Sequence, residues 1–142
     1  MVTGLGKPLL AASAAFLAGA FFKLGQPGDG LSRLHEAAQF IENTDERYYE
    51  AEVYRLTADL LRMTGEQAAA EQSYRKALAL ADRQNAKAHQ LRAAMSMARL
   101  WRDQGKRKEA RELLAPVYGW FTEGFETLDL KEAKALLEEL AY

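Results

Sequence analysis

Residues 21–34 (FFKLGQPGDGLSRL), 60–74 (LLRMTGEQAAAEQSY) and 100–114 (LWRDQGKRKEARELL) decide the fold. In each, an apolar run stops at a glycine and a second amphipathic run begins, the pattern of one helix ending and another starting. The glycines, Gly25, Gly65 and Gly105, stand 40 residues apart twice over, and a fixed period of this size signals a helical repeat array. Columns aligned on them are chemically consistent. Ala18, Ala58 and Ala98 precede the glycine, with Phe21, Leu61 and Trp101 three residues later; Gly30, Ala70 and Ala110 follow it, then Leu34, Tyr74 and Leu114, then Ala37, Ala77 and Val117. Small residues recur where two helices touch, and large apolar ones where a knob fills a hole. The glycine itself supplies the left-handed residue that ends a helix.

These columns resemble the tetratricopeptide repeat, whose signature sets Trp, Leu, Gly and Tyr on a first helix and Ala and Phe on a second. The middle unit reads Tyr54, Thr57, Ala58, Leu61, Gly65, Ala70, Tyr74 and Ala77; the last reads Ala94, Met97, Ala98, Trp101, Gly105, Ala110 and Leu114. The first reads Ala14, Leu17, Ala18 and Phe21, with Gly30 in the alanine column. The resemblance implies an all-α, right-handed solenoid of helical hairpins. The period departs from the family's, at 40 residues rather than about 34, which implies longer helices.

The phases predict about seven helices, near 8–24, 28–42, 46–63, 67–83, 87–103, 107–120 and 129–140, and no strand. A single domain over 1–142 then holds repeats at about 11–50, 51–90 and 91–128, with a capping helix at 129–141 that keeps the stack's end polar. Thr44 or Asp45 and Asp129 are the expected N-caps, and Glu71 and Arg75, four apart, the expected supporting pair. Residues 9–22 (LLAASAAFLAGAFF) read in two ways: as a secretory leader, or as an Ala-rich first helix packed closely on its neighbour. The repeat phase favours the helix, and the run is too short to span a membrane. Residues 116–130 (PVYGWFTEGFETLDL) crowd Tyr118, Trp120, Phe121 and Phe125, which close a core against the last helix or present an aromatic platform.

Composition narrows function. Nineteen basic residues against twenty acidic ones give a net charge of −1, which disfavours a dedicated nucleic-acid binder. Residues 99–111 hold six basic side chains against two acidic, but residues 123–139 hold six acidic against two basic, so the two segments can neutralise each other. There is no Cys, and the two histidines, His35 and His89, lack partners at metal-ligand spacing, so neither a metal nor another cofactor is expected. Gly105-Lys106 has neither the upstream Gly nor the following Ser or Thr of a phosphate-binding loop. Nor do the acids after Glu123 follow a calcium-loop spacing. The chain is expected to be no enzyme, and to be cytoplasmic.

The candidate site is a stripe of arginines. Arg92, Arg99 and Arg102 share one face of the fifth predicted helix, and Arg55 and Arg62, with Asp59 between them, one face of the third. In repeats of this family first helices line a concave groove, so Arg55, Asp59, Arg62, Arg92, Met95, Arg99 and Arg102 are the expected groove residues. Two readings stand: the arginines grip the carboxylates of an acidic peptide, or they form salt pairs with Asp59, Asp103 and neighbouring glutamates. The family's carboxylate clamp uses Lys and Asn where this chain has Arg55, Asp59, Met95 and Arg99, so chaperone-tail binding is not implied. From about Leu17 to Leu140, most strongly after Ala98, the chain also resembles the C-terminal repeat region of bacterial signalling proteins in which a nucleotide cyclase or winged-helix domain precedes an AAA-like ATPase. That resemblance implies a regulatory or sensing segment. The expectation is a scaffold for a protein or peptide, with self-association through the ends of the stack as a further alternative.

Overall fold

The computed structural model describes residues 25–44 and 50–141. Six helices lie there: α1 (Pro27–Thr44), α2 (Glu50–Met63), α3 (Gln67–Arg83), α4 (Lys87–Asp103), α5 (Arg107–Gly119) and α6 (Leu128–Leu140). They match the second to seventh predicted helices. The first, at 8–24, falls outside the described residues, as do the apolar run 9–22 and Asp45.

Three consecutive turns close by one device. At Gly65 (φ 84°) its N–H donates to the Arg62 carbonyl at 3.1 Å and that of Glu66 to Leu61 at 3.0 Å. At Gly105 (φ 82°) the same bonds run to Arg102 (3.0 Å) and, from Lys106, to Trp101 (2.8 Å). Midway between them, Asn85 (φ 53°) donates to Asp82 at 3.1 Å and Ala86 to Ala81 at 2.9 Å. This doubly bonded cap satisfies carbonyls that the ending helix leaves open, and it requires one left-handed residue. Asn tolerates that conformation better than other side chains. With caps at 65, 85 and 105, the 40-residue period divides into equal halves, and α3 and α4 are each 17 residues long. The long period is therefore two long helices.

Two cap expectations are corrected. Thr44 ends α1 and so cannot begin α2. Asp129 lies inside the first turn of α6, whose N-cap is Thr127, and the Thr127 hydroxyl donates to the Gly124 carbonyl (2.8 Å) and accepts nothing from the helix. The Asp129 carboxylate is engaged elsewhere.

The repeat columns form the core. Ala58, Ala70, Ala98, Ala110, Tyr74 and Leu114 are all fully buried. Each helix packs on the next, and in addition α2 packs on α4 and α4 on α6. Among the described residues the backbones of α3 and α5 make no comparable close approach. The α2, α4 and α6 helices therefore follow one another along one side of the stack. The aromatic stretch is divided between core and surface. Tyr118 and Phe121 pack against the core of α4, α5 and α6, whereas Trp120 and Phe125 are 57% and 44% exposed.

Because a Cβ at Gly105 would meet nothing within 4 Å, its replacement is penalised by backbone conformation alone. Gly105→Ala should therefore cost about 1 to 2 kcal/mol in urea unfolding, and Asn85→Gly should cost nothing.

Candidate functional site

One face of the stack is built from α2, α4 and α6. Residues three, four and seven apart on one helix share a face, so the core columns that turn inward carry the arginine stripe outward along the same helices. Arg55 and Arg62 come from α2, Arg92, Arg99 and Arg102 from α4. Met95 does not belong to the surface. It is 2% exposed and sits in the core cluster with Leu91, Ala98 and Leu130, so it offers a ligand nothing and leaves the expected groove set.

The remaining side chains form two chains of ion pairs that cross the repeats. In one, Asp59 accepts from Arg55 Nη1 (3.3 Å), Arg55 Nε donates to Glu52 (2.8 Å), Glu52 accepts from Arg92 Nη1 (2.8 Å), and Arg92 Nε donates to Asp129 (2.8 Å). In the other, Arg62 donates to Asp103, which also accepts from Arg102 Nε (3.0 Å), and Arg102 Nη1 donates to Glu139 (3.1 Å). Between them Arg99 stands 3.5 Å from Glu132, the loosest of these pairs. Each chain runs from α2 through α4 to α6. The reading in which the arginines are salt-paired describes this geometry, with Glu52, Asp129, Glu132 and Glu139 as the partners that complete it.

Electrostatics follow burial. Desolvation alone would push the Glu52 carboxyl up, but Arg55 and Arg92 outweigh it and hold the group below the ordinary carboxylate value. Asp59 is the opposite case: burial wins over Arg55 and the hydrogen bond from the Tyr74 hydroxyl, and its pKa is raised. Burial also lowers His89.

The basic segment 99–111 is largely spent within the fold. Arg107 donates to the Glu139 carbonyl and Arg111 to the Leu140 carbonyl (3.3 Å), where they meet the negative end of α6. Arg99 and Arg102 face α6 carboxylates, so the basic and acidic segments compensate each other within one chain. On α3 the expected Arg75–Glu71 pair forms at 3.3 Å, and Glu71 also accepts from Trp101 Nε1 at 2.7 Å. Among the described residues no group of three His, Asp or Glu is placed to hold a metal ion, and no helix is long and apolar enough to cross a membrane.

One of these partnerships carries a sequence signal: Glu52 and Arg92 are 40 residues apart, opposite charges at one period's offset, whereas Arg62 and Asp103 are 41 apart. The α4–α6 pairs lie outside that register, at 37 residues for Arg92 with Asp129.

The Glu52→Gln substitution should lower stability at pH 7 by about 1 to 2 kcal/mol, less than for a fully buried pair because Arg92 is partly exposed. Glu52's contribution is present above its unfolded pKa, about 4.3, and is lost as pH falls through the depressed folded value. Wild type and variant should therefore converge on acidification below about pH 4; a gap that persists there contradicts the assignment.

A family model for the tetratricopeptide repeat matches residues 9–83, just over half of the chain. No curated protein and no solved structure matches it.

Proposed function

The chain belongs to the tetratricopeptide repeat family, and from that premise we propose that it is a non-catalytic scaffold binding a protein or peptide segment along the α2–α4–α6 face. Repeats of this family generally mediate protein–protein interaction, and the family is typically without catalysis. The observation that supports the reading is the packing of α2 on α4 and of α4 on α6, the arrangement in which first helices of this family line a groove.

The pairing of its arginines refines what that face accepts. Five guanidiniums stand with six carboxylates of the same chain, so bulk positive charge does not draw a ligand in. Arg99 is the exchange point: its pair with Glu132 is long and both side chains are at least a third exposed. Pairs of that kind contribute little, so a carboxylate on the incoming segment replaces Glu132 at small cost. The partner is thus a protein or acidic peptide that presents a carboxylate to Arg99.

A second reading, the regulatory end of a cyclase- or ATPase-linked signalling protein, is supported by the resemblance of the region after Ala98. A lysate blot separates the two, since the second requires a band far above 15.9 kDa.

Peptides selected from a displayed library on the whole chain should lose about tenfold in affinity, ~1.4 kcal/mol, on Arg99→Ala, with an unchanged melting temperature. Photo-crosslinks from such peptides should map to α2, α4 and α6. Unchanged affinity together with crosslinks confined to α3 and α5 would refute the concave-face reading.

A further inference from the structure

We propose that the pocket between the start of α4 and the end of α5 is a second docking site, which takes an extended segment of a partner protein by an aliphatic side chain followed by a carboxylate. Lys87, Gln90, Pro116, Val117 and Trp120 line it, and it encloses about 140 Å³. An apolar cavity of about 150 Å³ holds benzene, so this space admits one side chain of leucine size.

Comparison with the preceding repeat explains why the pocket is open. Trp120 stands one period after Leu80, and Val117 one period after Ala77. Leu80 is 5% exposed and clusters with Ala51 and Ala81, with Ala86 packed against them. Trp120, by contrast, is 57% exposed. The connections differ: residues 84–86 join α3 to α4 and include Ala86, whereas the longer segment 120–127 joins α5 to α6. The column that the fold closes at Leu80 is left at Trp120 for an outside occupant.

The exposed ring is held in place. The Trp120 N–H donates to the Val117 carbonyl at 3.4 Å and that of Phe121 to Tyr118 at 3.1 Å. The Trp120 ring meets Phe121 edge to face, with centroids 5.2 Å apart, and Phe121 packs on the core. A tryptophan already fixed loses little entropy when a partner covers it, and tryptophan is enriched among the anchors of binding hot spots.

Polar groups at the pocket select its occupant. Lys87 Nζ lies 5.1 Å from the centroid of the Trp120 ring, and among the described residues it pairs with no carboxylate. Arg92, Arg99 and Arg102 of the same helix all do. A cation on the rim of an apolar pocket is complementary to a carboxylate beside an apolar side chain. The Gln90 Oε1 is buried and has no hydrogen-bond partner among the described residues. Rotation of that amide brings it to a backbone N–H of the docked segment, the donor it lacks. Arg99 lies twelve residues further along α4, about 18 Å at 1.5 Å per residue, so this pocket and the Arg99 face do not overlap.

Titration of the isotope-labelled full chain with acetyl-Gly-Ser-Leu-Glu-Ser-Gly-amide, followed by NMR, tests the assignment. The Trp120 indole N–H and the Gln90 side-chain amide should shift and saturate, while the Arg99 side-chain N–H stays still. Peptides with Lys for Glu or Gly for Leu should bind about tenfold more weakly. Lys87→Glu and Trp120→Ala, read at Gln90, should weaken the first peptide by about the same factor at an unchanged melting temperature. No shift at Trp120, or equal shifts from all of these peptides, overturns the proposal. So does an indole shift that tracks protein concentration without peptide, with a dimer mass in light scattering, since a second copy would then be the occupant.

Discussion

One left-handed residue every twenty positions governs this molecule. Gly65, Asn85 and Gly105 each let two carbonyls of an ending helix find donors before the chain reverses, at φ between 53° and 84°. Equal spacing makes equal helices, and equal helices bring the same columns into contact turn after turn. Ala58 and Ala98 are buried for that reason, as are Ala70 and Ala110. A shift of one cap would rotate a helix by about 100°, since 3.6 residues make a turn, and would carry these alanines out of the contact.

The same register puts charge on the opposite side of α2 and α4. Five arginines there are neutralised by carboxylates of this chain, four of them in two lines that run across the repeats and end on α6 and Arg99 by Glu132 between the lines. Arrays of this kind depend on contacts between neighbouring repeats. Here those contacts are polar on the outer α2–α4–α6 face and apolar in the interior. The α6 helix is thereby held at both levels: Leu130, Ala133, Leu136 and Leu140 join the core, while Asp129, Glu132 and Glu139 receive the arginines of α4.

Much of the architecture was legible because its signals are periodic. Glycines at a fixed spacing and alanines at constant offsets located α3, α4 and α5 to within a residue of their observed limits. Asn85 was less visible, since asparagine occurs in many turns and only its place midway between Gly65 and Gly105 marks it. Helical phase placed the arginines on one face but could not say whether they were free or paired. Their partners on α6 lie beyond the short α5 and its loop, where the 40-residue register no longer applies. Met95 shows the limit of phase from the other direction: it lies on the same helix as Arg92 and Arg99, yet it packs inward with Leu91 and Ala98.

The central claim is that the α2–α4–α6 face is one braced surface spanning the repeats. A double-mutant cycle on Glu52 and Arg92, followed by urea unfolding at pH 7, tests it most directly. The account predicts a coupling of roughly 1 to 2 kcal/mol between the two substitutions. Additivity within about 0.3 kcal/mol would contradict it, because the ion pairs would then decorate the face without joining α2 to α4.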